Sequence, residues 1–446
     1  MFGNILSTFF SRVFTMLIML IIVVINANSF GAEGVGTIGL MILNVTILQL
    51  ITSFIGGTTL VYLIPRRTFS NLIILTVLWA FIGNIGGLLV LNSLSMVPKE
   101  YIWLLLIISV VFSLNSIQLT LFQAIEKIKT FNFFQIFQSV ALIVILISLL
   151  LFEKIDDIKP HIDSYFYAYL FSYLVTFLFS GVWILKFFKK GFFNFQNRAI
   201  EIQRFGIWKQ FKEMVTLGFW VQIANLAQLL NYRLSYFLIE WFIGRKPLGI
   251  YDLGTKISEA VWVFPKSLCL VQYTRLSNNQ DPEYARKLTL MFAKISALFT
   301  LVVLIILLLL PSGFYTLVFG SDFLDTKAII YALSPGIFFL SCLTIISHHF
   351  AAKGHYWKNG LSSLIGLLLT AIGGYLLIPL AAKSGYLNGI LVAGFITSGS
   401  YFVSLLVSIL FFHKEQKLHF SDFLITDGEI ILFKTELLKL FSKNKL

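Results

Sequence analysis

Long apolar runs recur from one end of this chain to the other, and each is about 20 residues long. At 1.5 Å per residue in a helix, such a run crosses the hydrocarbon core of a bilayer, which is about 30 Å thick. The sequence is 58% hydrophobic and only 12% charged, so it has too few polar side chains to coat a water-soluble globule of 446 residues. The runs therefore predict an all-α polytopic membrane protein.

Apolar runs between charge clusters predict twelve transmembrane helices. The first six lie near residues 9–28, 38–64, 71–94, 101–124, 131–152 and 164–187. The second six lie near residues 217–243, 248–272, 290–313, 328–351, 359–382 and 386–412. The first run resembles a secretory signal, but its removal would leave the repeat described below incomplete, so we expect it to be retained.

Basic residues decide the predicted orientation, because loops on the cytoplasmic side carry an excess of Lys and Arg. One set of alternate loops holds Arg66, Arg67, Lys127, Lys129, Arg275, Arg286, Lys287, Lys353 and Lys358. We therefore predict that these loops and both termini are cytoplasmic. The net charge of +13 is explained by this basic face and by anionic lipid, so no nucleic-acid partner is expected.

A basic stretch divides the chain into two halves that resemble each other. We predict an N-terminal six-helix bundle (1–190), a basic cytoplasmic linker (191–214), a C-terminal six-helix bundle (215–412) and a cytoplasmic amphipathic tail (413–446). The matching segments are Phe30-Gly31 with Gly36 and Ile243-Gly244 with Gly249, and Phe122-Gln123-Ala124 and Phe350-Ala351-Ala352. An even number of helices in each half predicts parallel repeats, as in transporters that rock two bundles around a central site.

Motifs for cofactors and metals occur in the wrong setting. The sequence from Gly34 to Gly39 fits a dinucleotide pattern but joins two membrane helices, without the preceding strand that the binding mechanism needs. The acidic group at Asp156 and Asp157 is interpreted as a solvated turn, and His348 and His349 as interfacial residues. We therefore predict no cofactor and no metal site.

Polar side chains inside two predicted spans are the most informative feature, because a charge at the bilayer centre costs about 2.5–3.5 kcal/mol on insertion scales. At 100° per residue they form one stripe on each helix. The seventh helix carries Gln222, Asn225, Tyr232, Arg233, Tyr236 and Glu240, and the eighth carries Asp252, Lys256, Glu259 and Lys266. The stripes either face a shared cavity or pair their charges between and along helices, as Asp252 and Lys256 at i,i+4 would allow.

Several segments resemble bacterial polysaccharide flippases, the O-antigen exporter branch of the multidrug/oligosaccharidyl-lipid/polysaccharide exporter superfamily. These segments are Leu229-Leu230-Asn231-Tyr232-Arg233, Gly244 to Leu248, Gly249-Ile250-Tyr251, Thr274-Arg275-Leu276-Ser277, Phe319-Gly320, Leu333-Ser334-Pro335-Gly336 and Phe350-Ala351-Ala352-Lys353-Gly354. The resemblance implies twelve helices in two pseudo-symmetric, MATE-like bundles with a V-shaped cavity. It also implies transfer of an undecaprenyl-diphosphate-linked oligosaccharide, such as an O-antigen repeat unit, from the cytoplasmic to the periplasmic leaflet of a bacterial inner (plasma) membrane. Family members are thought to use a cationic cavity, from which this chain departs because acids accompany its bases.

We therefore predict a non-enzymatic flippase whose partners are the lipid-linked oligosaccharide, membrane lipids and other glycan-assembly proteins. Arg233 and Lys256 are predicted to attract the diphosphate. Gln222, Asn225, Tyr232 and Tyr236 are predicted to contact sugar, and the same cavity is completed by Asp252, Glu259 and Lys266. The rival functions are a cation-coupled multidrug exporter of the same superfamily, which would need a carboxylate in the first six spans, and a membrane-embedded glycan polymerase, which would need a larger outer loop.

Overall fold

A computed structural model describes residues 2–155, 160–193, 206–277 and 281–416, and the regular elements in these ranges are all helical. The first half contains α1 (Phe2–Thr52), α2 (Gly57–Leu63), α3 (Phe69–Ser93), α4 (Ile102–Ala124), α5 (Ile128–Ile155) and α6 (Asp163–Lys189). The second half contains α7 (Ile207–Phe242), α8 (Arg245–Ala260), α9 (Val263–Ser277), α10 (Pro282–Leu309), α11 (Ser312–Phe319), α12 (Thr326–Ala352), α13 (Tyr356–Ala382) and α14 (Tyr386–Gln416). Short 3₁₀ helices occupy Lys99–Tyr101 and Ser321–Phe323.

The described helices account for the twelve predicted spans. Nine stretches of the described chain are long and apolar enough to cross a membrane, and one of them, Ser11–Thr52, has 42 residues. That stretch reverses at Gly31, where φ is 63° and ψ is −170°, and residues on both sides of the break line the same cavity, for example Met16 and Gln49. It therefore supplies two spans, while α7 and the consecutive α8 and α9 supply two more that are too polar or too short for the apolar criterion.

The outer surface is apolar and the helix contacts are polar, which is the arrangement expected in lipid. Leu89, Phe152 and Ile372 each expose at least 60% of their surface. Between helices, the hydroxyls of Ser362 and Ser408 lie 2.8 Å apart. In a bilayer, small residues and interhelical hydrogen bonds replace the hydrophobic core of a soluble protein.

The helices pack in two groups, α1–α6 and α7–α14, which we call the N-lobe and the C-lobe. The matching glycines of the two lobes meet each other. Gly31 and Gly244 both have positive φ, 63° and 117°. Gly36 and Gly249 each follow five residues later, and they touch. A β-carbon on Gly249 would lie 1.7 Å from the carbonyl oxygen of Ala32 and 2.9 Å from the amide nitrogen of Gly36. Only glycine allows this approach of two backbones, and contact between equivalent residues is expected at a pseudo-twofold axis.

The second pair of matching segments also folds alike. After α4, the amide of Lys127 donates to the carbonyl of Phe122 at 2.8 Å; after α12, the amide of His355 donates to the carbonyl of Phe350 at 2.8 Å. In both turns the residue just before the donor has positive φ, namely Glu126 and Gly354. Both helices thus end in a Schellman-type turn.

The second membrane helix of each half is interrupted. In the N-lobe the helix that follows Gly31 stops at Thr52 and resumes as α2 at Gly57. In the C-lobe α8 ends at Ala260 and α9 begins at Val263. Breaks of this kind free backbone polar groups inside a membrane, and they are tolerated where the backbone is buried in protein or lines a cavity.

The helix ends define two ends of the molecule. We call the end with Arg66, Lys127, Lys186 and Lys358 the basic end, and the end with Gly31, Glu100 and Arg245 the far end. Helix α7 begins at Ile207, within the predicted linker, and α14 continues to Gln416. The acidic turn at 156–157, most of the linker (194–205) and the tail beyond 416 lie outside the described residues.

Candidate functional site

An ion pair joins the two polar stripes near the middle of the C-lobe. Nη2 of Arg233 on α7 lies 2.6 Å from Oε2 of Glu259 on α8, and both side chains are largely buried. Arg233 is nine residues from the end of α7, so it lies about 14 Å from the far end. At that depth in a bilayer each charge needs its partner.

The network continues from Arg233 through a tyrosine to a second ion pair. Nη1 of Arg233 donates to the hydroxyl of Tyr236 at 3.3 Å, and that hydroxyl donates to Oδ1 of Asp252 at 2.8 Å. Nζ of Lys256 lies 2.6 Å from Oδ2 of Asp252. The chain from Glu259 to Lys256 thus contains two acids and two bases, and its net charge is zero. We call it the charged network.

The charged network lies against the N-lobe. Asp252 is 1% exposed, and a β-carbon on Gly39 of α1 would lie 3.1 Å from its carboxyl carbon. Any movement between the lobes therefore changes the surroundings of this carboxylate.

The remaining residues of the α7 stripe divide between two places. Nδ2 of Asn225 donates to Oε1 of Gln222 at 3.1 Å, and Gln222 lies beside Gly57 at the interrupted N-lobe helix. Tyr232 packs edge-on against Trp262 and Tyr401, with ring centroids 5.5 and 5.4 Å away, and its hydroxyl accepts from Gln228. The structure thus brings Gln222 and Asn225 to the lobe interface and places Tyr232 in an aromatic cluster.

Lys266 differs from the other predicted cations, because it has no ion pair among the described residues. Its ammonium lies 4.1 Å from the ring centroid of Trp262 and is exposed. It is attracted by Glu259 and repelled by Arg233 and by Arg12 of the N-lobe. Arg12 and Lys266, two cations from opposite lobes, are therefore close enough to repel each other.

A cavity of about 650 Å³ lies in the N-lobe between α1, α4, α5 and α6. Its polar lining consists of five carboxamides, five hydroxyls and one cation: Gln49, Asn115, Gln123, Gln135, Gln138, Thr15, Ser116, Thr120, Ser139, Tyr173 and Arg12. Gln123 and Arg12 lie toward the basic end, and Asn115 lies nine residues deeper than the end of α4. No carboxylate lies among these lining residues. We call this space the amide cavity.

Sequence reasoning missed most of the amide cavity. Ser116, Thr120 and Gln123 of α4 and the amides of α5 line it, and none of them carries the charge that marked the α7 and α8 stripes. Their spacing was the available signal: Gln135 and Gln138 are three residues apart and share one helix face.

The lobes are tied together at the far end. Nδ2 of Asn28 donates to the carbonyl of Val318 at 2.8 Å, and Nε1 of Trp241 donates to the carbonyl of Ser95 at 3.0 Å. Arg245 pairs with Glu240 on its own lobe and with Glu100 on the other. Asp322 accepts from the amide of Ala32 at 3.1 Å and pairs with Lys246 at 2.9 Å. The hydrogen bond from Lys246, with that from the Ala32 amide, lowers the pKa of Asp322.

This architecture, two helical lobes with interrupted second helices and a charged network in the C-lobe, is that of a polytopic α-helical membrane protein. The chain belongs to the polysaccharide biosynthesis protein family, whose sequence pattern it matches over residues 2–265. It is similar to the capsular polysaccharide biosynthesis protein CapF of Staphylococcus aureus, with 23% identity over 260 residues. That match covers 58% of this chain and 63% of the relative, so the chain spans less than two thirds of that relative's length.

Solved structures of MATE transporters share the fold. An inward-facing multidrug resistance MATE family transporter of the MOP superfamily superposes with a TM-score of 0.69 at 13% identity, covering 90% of this chain and 96% of the other. An outward-facing conformation of such a transporter gives 0.61 at 15% identity, with 93% and 96% covered. A mutant of the Vibrio cholerae MATE transporter VcmN gives 0.59 at 12% identity, with 95% and 98% covered. The predicted MATE-like fold is confirmed.

Proposed function

We propose that this protein is a non-enzymatic flippase that moves an undecaprenyl-diphosphate-linked oligosaccharide from the cytoplasmic to the periplasmic leaflet of a bacterial inner membrane. The observation that carries the proposal is the polar surface between the lobes of a polysaccharide biosynthesis family member. This surface runs from exposed cations toward the basic end to the charged network near mid-membrane. The name of CapF supports a polysaccharide precursor as the cargo.

The orientation of the chain is part of the proposal. Loops rich in Lys and Arg are retained in the cytoplasm, so the basic end is cytoplasmic, and both termini lie on that side. In a variant lacking Cys269 and Cys342, a cysteine introduced at Lys353 should be shielded from an impermeant thiol reagent in intact cells, whereas one introduced at Ser384 of the far end should be labelled. The opposite labelling pattern would contradict this orientation.

The proposed diphosphate path begins at Arg12 and Lys266. These cations have no ion-pair partner among the described residues, so an entering anion meets positive charge that is not already neutralised. Arg233 and Lys256 come next on this path. Each forms an ion pair with an acid, so the diphosphate must replace that acid in order to bind. Without substrate, the acids neutralise the two cations.

The predicted sugar contacts remain part of this path. Gln222 and Asn225 lie at the lobe interface, where their carboxamides offer donors and acceptors. Tyr236 connects the two ion pairs of the charged network, and Tyr232 packs against Trp262. This assignment predicts that their substitution lowers transport of the oligosaccharide.

A cation-coupled multidrug exporter is the rival function with the same fold. Expelling a cation by proton exchange in the N-lobe requires a carboxylate there, and the described lining of the amide cavity holds none. Deleting the gene from its own host tests the choice. The proposal predicts loss of surface polysaccharide and accumulation of lipid-linked oligosaccharide. Intact surface polysaccharide together with new sensitivity to cationic drugs would favour the exporter.

A further inference from the structure

The amide cavity contains polar groups whose hydrogen-bonding capacity is not used within the protein. The side-chain oxygen of Asn115 is buried and has no hydrogen-bond partner in the described part of the chain, and the residue is 1% exposed. Gln123 and Gln135 also make no side-chain hydrogen bond to a described residue. Of these three residues only Asn115 is buried, whereas Gln123 and Gln135 are half-buried along the same cavity. A buried polar group without a partner costs free energy, so the Asn115 oxygen, beside two unused carboxamides, points to a ligand that completes it.

Other amides in the same lobe use their side chains to connect helices. Gln118 on α4 hydrogen-bonds Ser180 on α6 and does not line the cavity. Nε2 of Gln138 donates to Ser172 at 3.2 Å, and Nε2 of Gln49 donates to Ser116 at 2.8 Å. These contacts tie helices together, whereas Asn115, Gln123 and Gln135 have no such helix partner.

The lining defines the chemistry of the ligand. A carboxamide both donates and accepts hydrogen bonds, which suits a hydroxyl or an acetamido group. Arg12, at the rim, is the one cation of the described lining, and no acid accompanies it, so the interior complements a group without charge. Phe112 and Tyr173, whose ring centroids lie 4.7 Å apart, offer aromatic surface to the apolar face of a sugar ring.

The cavity also has the right size and position. Its volume of about 650 Å³ falls within the range of about 300–1,000 Å³ for small-molecule sites. Arg12 belongs to its lining and is close enough to Lys266 of the other lobe to repel it. A diphosphate held by these two cations would therefore place the sugar attached to it at the mouth of the cavity.

We infer that the amide cavity is the sugar subsite of the transporter and that it takes uncharged sugars bearing hydroxyl or acetamido groups. This inference rests on the proposed function. It adds a binding site in the N-lobe and excludes sugars with a carboxylate from the depth of the cavity.

The test is a binding titration of the full chain in lipid nanodiscs with three probes. The first is a short-chain isoprenyl diphosphate bearing N-acetylglucosamine, the second bears glucuronic acid instead, and the third carries no sugar. The wild-type protein should bind the first about tenfold more tightly than the second. Gln135→Leu should weaken the first about three- to tenfold, the effect of losing one or two neutral hydrogen bonds, and leave the third unchanged.

Gln118→Leu is the matched control, because it removes an amide of the same lobe that does not line the cavity. It should leave the preference between the probes unchanged. If Gln135→Leu does not reach the membrane, Gln123→Leu at the rim gives the same comparison.

The outcomes separate the two proposals. A wild-type protein that binds none of the probes overturns the proposed function and this inference with it. Equal binding of the first probe by wild type and Gln135→Leu overturns the inference alone, as does a preference for glucuronic acid.

Discussion

The charged network of the C-lobe and the amide cavity of the N-lobe are both polar and both embedded in the membrane, yet their polar groups differ in whether they have partners within the protein. In the network, Arg233 and Lys256 each have an acid within 2.6 Å. In the cavity, the side chains of Asn115, Gln123 and Gln135 make no hydrogen bond to a described residue. Charged groups in a bilayer must be paired to persist, whereas neutral amides can stay incomplete at lower cost. Charge alone is therefore a poor guide to the proposed sugar subsite.

The largest expected effect comes from breaking the ion pair of the network. Glu259→Ala leaves Arg233 buried without its partner, which we expect to destabilise the protein by about 3–5 kcal/mol. Arg233→Ala should have a similar effect, while Arg233→Lys keeps the charge and retains more folded protein and part of the transport activity. The measurement is the amount of folded protein in detergent and its midpoint of thermal unfolding.

A double substitution serves as the control for this ion pair. Arg233→Met combined with Glu259→Met removes both charges and should be less destabilising than the two single alanine effects added together. Strictly additive losses would show that the two residues do not depend on each other.

A smaller effect is expected at the tyrosine that connects the two ion pairs. Tyr236→Phe removes the hydroxyl between Arg233 and Asp252 and leaves both ion pairs in place. Because the lost hydrogen bonds involve charged groups, we expect a destabilisation of about 1.5–3 kcal/mol, measured by thermal unfolding. An unchanged unfolding midpoint would indicate two independent pairs instead of one network.

A substitution in the amide cavity should lower transport and leave stability almost unchanged. Asn115→Leu replaces a side chain whose buried oxygen has no partner, so stability should change by less than about 0.5 kcal/mol. Transport measured per folded molecule should fall several-fold. If the substitution instead destabilises the protein while the molecules that remain folded transport normally, Asn115 has a structural role like that of Arg233.

The smallest effect concerns the far end and its pH dependence. The pKa of Asp322 is lowered from 3.8 chiefly by the hydrogen bond from Lys246. A carboxylate with a lowered folded pKa stabilises the protein above its unfolded pKa, and this contribution is lost as the pH falls through the folded value. The difference in unfolding midpoint between wild type and Lys246→Ala should persist from pH 8 to about pH 5 and shrink below the unfolded pKa. A difference that grows toward acid pH would contradict this.

Much of the fold was accessible from the sequence, because a bilayer imposes strict rules. The apolar runs gave the spans, and the glycines at Gly31 and Gly244 marked both turns between paired helices. The contact of Gly36 with Gly249 could not be predicted, because a local sequence pattern does not say which distant segment will pack against it.

The site was accessible only in part. Arg233, Lys256 and their acids stood out in the sequence because a charge in a membrane is costly. Their spacing left open whether they face a cavity or pair with each other, and the structure shows that they pair. Gln135 and Asn115 carry no charge, and they meet only when α4 and α5 pack together. Their assignment to sugar binding stays a prediction.

The most direct test of the account is a translocation assay with purified protein in lipid vesicles. The vesicles contain an undecaprenyl-diphosphate-linked oligosaccharide with a fluorophore on its sugar, and an impermeant quencher is added outside. The account predicts that the protein carries the inner-leaflet substrate outward, so that quenching proceeds beyond the outer-leaflet share, and that Gln135→Leu slows this phase. Quenching that stops at the outer-leaflet share in vesicles with and without the protein would contradict it.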